Sequence, residues 1–527
     1  MAEKSPIEPP EPSPADADEL RAFLTDPASY GLSSGKVETI ETHAAHVFLA
    51  GNKAYKIKKP VTLPFLDFST AAQRKHALTR EFELNCPHAP GIYVEIASVN
   101  RNPSGNLTFA AGDPVEPVLV MKRFDQKDLL ARVAEKEPLT RQTARALALM
   151  VADYHRALEP LPDRKGAEIM REIAGQLADE LKDAAPPGRG PLMEECADLL
   201  CKEVERVAPL LDERAEAGYI RRCHGDLHLR NIVFLDGKPT PFDALEFNEA
   251  FATTDVLYDL AFLLMDLDVR GQSGAANTVL NTYVEAEPAG GEVEGLATLP
   301  LFLATRAAVR GVVNLERARQ EAGGAERDDD FAHAVAYAEA AKRYLTPPPP
   351  QLIAVGGLSG TGKSTLSVAL APLVGGAPGA LILRTDVERK RMFGVPETMP
   401  LSRAHYSQDV SAIVYGRLYD KARRALKAGH TVIFDGVSSK LEERDAIADI
   451  ARAAARPFHG LWLEAPVDVK VARVGTRRED ASDSDETVVR AQATRDLGPI
   501  GWTRLNAGRT PEDTLRQAKI TLGLDGP

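Results

Sequence analysis

Residues 357–365 combine glycines, a lysine and hydroxyl side chains in an order that suits nucleotide phosphates. They match the pattern G-x-x-x-x-G-K-[ST], follow a short apolar run and precede a helical pattern. Glycines let backbone N–H groups wrap phosphates, and the N-terminus of the following helix adds partial positive charge. We therefore predict an ATP site formed by Gly357, Ser359, Gly360, Thr361, Gly362, Lys363, Ser364 and Thr365.

Charged and hydroxyl side chains around this loop could carry the chemistry of phosphoryl transfer. We expect Lys363 to reach the β- and γ-phosphates and Ser364 to bind Mg²⁺. Asp386 and Asp435 each follow an apolar run, and ligands bind beyond the carboxyl ends of strands in open α/β sheets. Asp386 could accept the proton of an acceptor hydroxyl or simply cap the next helix, and Asp435 could hold magnesium or touch substrate.

Arginines provide the positive charge that a transferring phosphoryl group would need. Arg389 and Arg391 follow Asp386 and could hold the acceptor. Arg473 and Arg477 lie four residues apart on a predicted helix, so they share a face, with Arg478 near its edge. These arginines could neutralise charge in the transition state, and a solvated helix face is the alternative.

A second constellation in the N-terminal part has the pattern H-G-D-x-x-x-x-N, which begins at His224. Its Asp226 and Asn231 are spaced so that one can orient a hydroxyl while the other binds metal. A predicted hairpin with an Asp236-Gly237 turn then brings Asp243 to a second metal position. Chance is a poor explanation, because the pattern, the hairpin and the second carboxylate occur together.

Two lysines upstream could reach the phosphates of a second nucleotide. Lys56 and Lys58 face the same side of a predicted strand, which pairs with the preceding strand around a Gly51-Asn52 turn. Glu81, in a predicted helix over residues 71–85, is the candidate ion-pair partner that positions the lysine. The sequence does not decide which lysine contacts nucleotide, and a solvated surface position is the alternative for each.

Both constellations resemble known kinase families. Residues 351–522 resemble the small-molecule P-loop kinases related to gluconate kinase, zeta toxins and polynucleotide kinases, on the P-loop and the two strand ends that carry aspartates. That resemblance implies Asp386 as the catalytic base, with Arg473 and Arg477 in a lid.

Residues 34–344 resemble the aminoglycoside phosphotransferase and choline kinase family. This resemblance implies Asp226 as the base and Asn231 and Asp243 as magnesium ligands. The first hairpin departs from protein kinases because it has no G-x-G-x-x-G loop. The tandem order resembles bacterial fusion proteins that join these two kinase modules.

The elements that must position these residues suggest an α/β and α+β protein. We predict a disordered tail over residues 1–20, a two-lobed protein-kinase-like fold over 21–346, and a proline linker over 347–350. A P-loop kinase, with a parallel sheet flanked by helices, is predicted over 351–527.

Composition limits the class of protein. The net charge of −12 disfavours broad nucleic-acid binding, because phosphate neutralisation needs a basic surface. No apolar run reaches the length of a membrane span, and the start lacks the apolar core of a signal peptide. The four cysteines show neither metal spacing nor a disulfide framework, so we expect reduced thiols in a cytoplasmic enzyme.

These patterns predict an ATP- and Mg²⁺-dependent phosphotransferase with two kinase-like modules and a small-molecule hydroxyl acceptor. Three alternatives stay open: an N-terminal module that only senses a ligand or nucleotide, a toxin-like ATP switch, and a nucleic-acid 5′-hydroxyl kinase. The identity of the acceptor and the oligomeric state are not encoded in any pattern that we recognise.

Overall fold

The computed structural model describes residues 14–42, 44–63, 66–161, 164–286, 292–320, 323–476 and 481–524. The chain forms two compact units. The first contains Met1–Glu137, Tyr154–Leu161 and Ile220–Asp259, and the second contains Pro138–Asp153, Pro162–Tyr219 and Leu260–Pro527. The domain limits predicted from sequence stay predictions.

The described residues contain the following strands and α-helices, numbered in chain order. The strands are β1 (Glu38–Glu41), β2 (Ala45–Ala50), β3 (Lys53–Lys58), β4 (Thr62–Leu63), β5 (Leu66–Asp67), β6 (Tyr93–Arg101), β7 (Leu107–Thr108), β8 (Asp113–Lys122), β9 (Ile220–Arg222), β10 (Ile232–Leu235), β11 (Lys238–Pro241), β12 (Thr253–Asp255), β13 (Leu352–Gly357), β14 (Leu381–Arg384), β15 (Val432–Asp435), β16 (Phe458–Glu464) and β17 (Thr503–Asn506). The α-helices are α1 (Pro14–Thr25), α2 (Ala71–Asn85), α3 (Leu130–Lys136), α4 (Arg141–Ala157), α5 (Gly166–Asp183), α6 (Gly190–Glu216), α7 (Glu249–Ala252), α8 (Val256–Val269), α9 (Ser273–Ala286), α10 (Glu292–Gly295), α11 (Leu299–Gln320), α12 (Ala325–Leu345), α13 (Lys363–Leu370), α14 (Thr385–Met392), α15 (Gln408–Lys427), α16 (Leu441–Ala453), α17 (Val467–Thr476), α18 (Glu486–Ala493) and α19 (Pro511–Thr521).

The first unit is organised by an antiparallel sheet with the order β1-β2-β3-β8-β6-β7. Strands β2 and β3 pair from Ala45 opposite Lys58 to Ala50 opposite Lys53, which confirms the predicted hairpin around residues 51 and 52. Phe48, Ile57 and Val118 lie in the core beneath this sheet. The predicted hairpin around residues 236 and 237 is also present, as β10 and β11.

Helix α2 spans the residues predicted for it, because local capping and long-range contacts agree. Thr70 caps the helix in a reciprocal pair with Gln73, which satisfies two backbone N–H groups at its start. Arg74, on the first turn, donates two hydrogen bonds to the carboxylate of Glu116 on β8, at 2.7 and 2.6 Å. This buried ion pair holds helix α2 against the sheet, and it therefore determines the position of Glu81, which lies two helical turns after Arg74.

In the second unit, a parallel sheet has the order β14-β15-β13-β16-β17. Its strands are runs of buried Val, Ile and Leu, as expected where helices cover both faces. The first of these strands in the chain, β13, lies at the centre of the sheet. The next two strands, β14 and β15, lie on one side of it, and the last two, β16 and β17, lie on the other. Such a change of direction opens a crevice at the carboxyl ends of the strands.

The same unit contains long helices, among them α5, α6, α11 and α12. The stretch Glu292–Gln320 is long and apolar enough by composition to cross a membrane, but 72% of its apolar window is buried inside the protein. Burial of this kind is typical of a core helix.

The structure differs from the predicted disordered tail at residues 14–20, which belong to helix α1. Leu24 of this helix is fully buried, and Leu20 and Phe23 pack against the core beneath the sheet. The sequence interpretation relied on the acidic and proline-rich composition and overlooked these three apolar residues. Their burial offsets the conformational entropy that is lost when the helix forms. Residues 1–13 lie outside the described residues.

Candidate functional site

Two lysines of β3 and a glutamate of α2 form a buried cluster in the first unit. The carboxylate of Glu81 accepts one hydrogen bond from Lys56 at 2.7 Å and one from Lys58 at 2.8 Å. Each lysine has a second acidic partner: Lys56 reaches Asp243 at 2.6 Å, and Lys58 reaches Glu246 at 2.5 Å. The two lysines face the same side of the strand, so one carboxylate can hold both.

The charges in this cluster compensate one another. Burial acts to lower the pKa of Lys56, but Asp243, Glu81 and Glu246 outweigh it and raise the pKa well above its usual value. Removal from water acts to raise the pKa of Asp243, and the ammonium groups of Lys56 and Lys58 more than reverse that effect. Both partners of the Lys56–Asp243 pair are therefore charged at neutral pH.

The backbone around Asp243 is held in an unusual conformation. Its φ is +62°, a left-handed value that a non-glycine residue adopts only when its surroundings impose it. The Tyr93 hydroxyl accepts a hydrogen bond from the Asp243 N–H at 3.0 Å, and Asn85 accepts one from the next N–H at 2.9 Å. Strand β6 and helix α2 thus aim this carboxylate at Lys56.

The backbone of the loop that carries Asp226 is hydrogen-bonded to a buried carboxylate. Asp259 accepts hydrogen bonds from the backbone N–H groups of His224, at 3.3 Å, and Gly225, at 2.8 Å. Gly225 has a φ of +82°, and a Cβ there would lie 3.0 Å from the side chain of Leu245. A glycine is therefore needed between the histidine and the aspartate.

The predicted metal-binding oxygens of this unit suit Mg²⁺. The side-chain amide of Asn231 donates to Asp226 at 2.8 Å, which leaves its own carbonyl oxygen pointing away from that bond. Asp243 binds Lys56 through Oδ1 only. Among the described residues, no hydrogen bond reaches Asp243 Oδ2 or Asn231 Oδ1, and carboxylate and amide oxygens are the ligands that Mg²⁺ prefers.

In the second unit, the predicted P-loop connects β13 to α13 through glycines with left-handed backbones. Gly357 and Gly360 have φ values of +141° and +82°. A Cβ would come within 2.7 Å of a carbonyl oxygen at each, that of Leu463 for Gly357 and that of Lys470 for Gly360. Larger residues are therefore excluded at both positions. Some N–H groups of the loop have protein acceptors: that of Ser359 donates to the Gln492 side chain at 2.8 Å, and that of Thr361 donates to the Leu358 carbonyl oxygen at 3.3 Å.

Charged groups from neighbouring strands meet beside this loop. Asp435 ends β15 and is buried; burial raises its pKa, while Arg384, Lys363 and a hydrogen bond from Ser364 oppose the rise. Its Oδ2 atom accepts no hydrogen bond from the described residues, and the Arg384 Nε atom lies 3.6 Å away. Asp386 is near enough to act on the pKa of Asp435. The donor set suits a magnesium–phosphate complex.

The predicted arginines lie in different surroundings. Arg389 is buried, donates to the carbonyl oxygen of His405 at 2.8 Å and stacks on the Tyr406 ring. Arg473 donates to the carbonyl oxygens of Ala507 and Arg509, at 2.8 and 2.7 Å. Arg477 and Arg478 lie outside the described residues, so the predicted lid pair is not seen as a pair. The lid role of Arg473 stays a prediction.

Sequence reasoning missed the contribution of helix α19 to a cavity beside the P-loop. A cavity of about 260 Å³ is lined by Thr361, Gly362, Thr365, Leu366, Arg473, Pro511 and Thr514. Pro511 and Thr514 belong to α19, which starts shortly after the end of β17. The signal was available, since the loop after a parallel strand opens onto the ligand edge of the sheet.

A second missed feature is Asp483, which ties together three elements near Asp386. Its carboxylate accepts hydrogen bonds from the Lys390 ammonium at 2.8 Å, the Leu401 N–H at 2.8 Å and the Tyr406 hydroxyl at 2.6 Å. The next residue, Ser484, donates to the Ser359 hydroxyl of the P-loop at 2.9 Å. No local sequence pattern indicates these partners, which are distant in the chain.

Comparison with known proteins supports both constellations. Residues 71–296 match the family model of the phosphotransferase enzyme family, and residues 352–496 match a model described as an AAA domain. An uncharacterized protein of Mycobacterium tuberculosis strain H37Rv is 32% identical over 494 residues, which cover 92% of this chain and 94% of that protein. A protein of Mycobacterium bovis matches to the same extent.

Solved structures match each part separately. A choline/ethanolamine kinase family protein from Mesorhizobium loti is 18% identical, with 62% of this chain and 97% of that chain covered and a TM-score of 0.38. A gluconokinase from Sinorhizobium meliloti is 20% identical, with 33% and 92% covered and a TM-score of 0.25.

Proposed function

This chain belongs to the same family as the mycobacterial proteins, with a phosphotransferase-family segment ahead of a P-loop kinase segment, and we propose that both segments transfer phosphoryl groups. The donor is ATP with Mg²⁺, and the acceptor is a hydroxyl group of a small molecule. The observation that carries the proposal for the first segment is the chain of contacts Glu81–Lys56–Asp243, since it brings a lysine to a metal-binding carboxylate.

In the first site, Asp226 accepts the proton of the acceptor hydroxyl as its oxygen attacks the γ-phosphorus and the bond to ADP breaks. Asn231 holds the Asp226 carboxylate through its amide at 2.8 Å. Bound magnesium would neutralise phosphate charge between Asn231 and Asp243. Lys56 is held for the phosphates by Glu81. A module that only senses nucleotide needs no base, which favours catalysis here.

In the second site, Asp386 takes the proton of the acceptor hydroxyl. Lys363 and the P-loop would hold the phosphates in line with that oxygen, and Ser364 and Asp435 would hold Mg²⁺, which neutralises phosphate charge when bound. The cavity beside Arg473 and Pro511 accepts the rest of the nucleotide. Positioning and charge neutralisation supply most of the rate.

The acceptor that we propose is a small molecule rather than a nucleic-acid end. A net charge of −12 gives no broad basic surface for a polynucleotide. We propose that the activity is cytoplasmic, since the sequence has only four cysteines and their spacing indicates no disulfide framework.

The test uses the purified full chain, ATP labelled on its γ-phosphate and a library of hydroxyl metabolites, with an oligonucleotide as a separate acceptor. Asp226→Ala and Lys363→Ala are each expected to remove a different labelled product, with a loss of about 100-fold or more in rate. Asp236→Asn, in the exposed turn between β10 and β11, and Lys427→Ala, on the surface of α15, are the matched controls and should keep both products.

The outcomes separate the candidate functions. If all transfer depends on Lys363 and none on Asp226, the first segment is a sensor and the two-site proposal is wrong. Transfer to the oligonucleotide with steep salt dependence would identify a nucleic-acid kinase instead. Loss of neither product in either variant, with wild-type unfolding curves, contradicts both site assignments.

A further inference from the structure

The outer edge of strand β14 is paired with helix side chains rather than with another strand. Asn281 of α9 accepts a hydrogen bond from the Ile382 N–H at 2.7 Å and donates to the Ala380 carbonyl oxygen at 3.1 Å. Asn277, one turn earlier, donates to the same carbonyl oxygen at 3.0 Å. A carboxamide offers one donor and one acceptor side, as a neighbouring strand would. Helix α9 thus fixes the strand that leads to Asp386.

An ion-pair chain starts from helix α4 and ends at the P-loop site. Arg145 binds the carboxylate of Glu397, which also accepts a hydrogen bond from Arg384 at 3.2 Å. The Nε atom of Arg384 in turn lies 3.6 Å from Asp435 Oδ2. Charges therefore alternate along four side chains. The Arg384–Asp435 pair at the P-loop end is almost completely buried, so solvent screens it weakly.

The space beside this chain is too small for a ligand. A cavity of about 30 Å³ lies between Arg145, Arg384, Glu397 and Asn281, which is the volume of about one water molecule. Arg141 and Glu285 line the same cavity, and Glu285 faces Arg145, Arg384 and Glu397. Asn277 and Asn281 hold the β14 backbone at Ala380 and Ile382, so an exchange of partners by Arg384 would involve its side chain and not the strand.

We infer that Arg145 is a positioning residue for the P-loop site, which acts through Glu397 on how strongly Arg384 competes with Mg²⁺ for Asp435. This inference rests on the proposed function of that site. Arg145 and Asn281 belong to the segment that matches the phosphotransferase family, whereas Glu397 and Arg384 belong to the AAA-domain match. The first family segment therefore supplies part of the second site.

Because the charges alternate, removal of the charge at Arg145 and removal of the charge at Glu397 should change the Mg²⁺ dependence in opposite directions. Without the Arg145 charge, Glu397 binds Arg384 more strongly, so Asp435 is left more available to a metal ion. Without the Glu397 charge, Arg384 turns to Asp435 and blocks it. The half-saturating Mg²⁺ concentration should fall in Arg145→Met and rise in Glu397→Gln, each by about threefold or more for members of one ion-pair network.

The experiment measures binding of a fluorescent ATP analogue to the full chain as a function of Mg²⁺. The two tryptophans of the chain, Trp462 and Trp502, are close together in the P-loop segment and serve as energy donors. All variants carry Lys56→Met, which weakens the other nucleotide site. Arg145→Lys should restore the parent value, and Arg171→Met, which removes a surface ion pair with Glu205, should not change it.

Affinity measured without Mg²⁺ is the internal reference and should stay the same in all variants. Equal Mg²⁺ dependence in the parent, Arg145→Met and Glu397→Gln overturns the inference, and so does weakening in both variants, which would indicate a structural role. If Arg145→Met does not fold, Arg145→Gln, which also removes the charge, takes its place, and opposite shifts in Arg145→Gln and Glu397→Gln decide the same question. Binding that does not depend on Lys363 in the parent overturns the proposed function as well.

Discussion

At the scale of single residues, the two lysines of β3 share Glu81 as an ion-pair partner but differ in their second partner. Lys56 also contacts Asp243, whose second oxygen suits a metal, and Lys58 also contacts Glu246. Burial raises the pKa of Glu246, and Lys58 opposes that rise. We therefore expect Lys56 to contact the phosphates of a bound nucleotide and Lys58 to balance the charge of the buried carboxylates.

This difference predicts the behaviour of two matched variants. In a Lys363→Ala background, which silences the P-loop, Lys56→Met should weaken ATP binding by about 10- to 100-fold, the value of one charge-assisted hydrogen bond. Lys58→Met should weaken it less and should lower thermal stability, because Glu81 and Glu246 keep one fewer cation. Isothermal calorimetry and thermal unfolding measure the two effects. A larger affinity loss in Lys58→Met would reverse the assignment.

At the scale of elements, helix α2 shows how a long-range contact carries a site residue. Its limits follow from a local capping pair, but its position on the sheet depends on the buried fork between Arg74 and Glu116. Burial raises the pKa of Glu116, and Arg74 acts against that rise. Removal of the arginine alone leaves a buried carboxylate without its cation.

We therefore expect Arg74→Met to lower the free energy of unfolding of the first unit by about 3–5 kcal/mol. The double variant Arg74→Met, Glu116→Leu should recover most of that loss, since no charge is then left unpaired. Urea denaturation followed by circular dichroism measures both. Arg132→Met, which breaks an exposed pair with Glu135, is the control and should cost at most about 1 kcal/mol. Equal losses in the single and double variants would contradict the argument.

At the scale of the whole molecule, helices α9 to α12 and the P-loop sheet belong to one compact unit. Glu285 of α9 faces charged residues from several elements, namely Glu397, Arg145, Arg384 and Arg141. Burial and Glu397 raise the pKa of Glu285 to about 7, although the three arginines oppose the rise. The unit therefore carries a carboxyl group that changes charge near neutral pH.

The sign of the resulting pH dependence follows from the direction of this shift. Between about pH 4.5 and 7 the folded state binds a proton that the unfolded state has released, so stability falls as the pH rises through that window. Glu285→Gln should remove this slope and stabilise the unit above pH 7 by about 1–3 kcal/mol, a range reduced for partial exposure.

Denaturation followed by the fluorescence of Trp462 and Trp502, which lie in this unit, measures the effect at pH 5.5 and pH 8 by comparison with wild type. The exposed Glu326→Gln is the control and should show the wild-type pH dependence. A Glu285→Gln variant with the same difference from wild type at both pH values would disprove the role of this carboxyl group.

The sequence alone determined the elements that carry chemistry, because their signals are local. The P-loop between β13 and α13, the hairpin before Lys56, the helix of Glu81 and the Asp236-Gly237 turn each follow from apolar periodicity, glycine positions or turn residues within a few positions. The fold class and the two family resemblances follow from the same motifs.

Only the tertiary structure decided which partners those residues have. Glu246 beside Lys58, Asp483 beside Tyr406 and Asn281 on strand β14 join residues that are far apart in the chain. Side-chain pairing between residues far apart in the chain leaves no periodic or turn signal in a single sequence. Many other carboxylates or amides of the chain have the same residue type, and the sequence does not show which of them is the partner. The physical reason is that packing, rather than local propensity, brings these charges together and determines which of them stay paired.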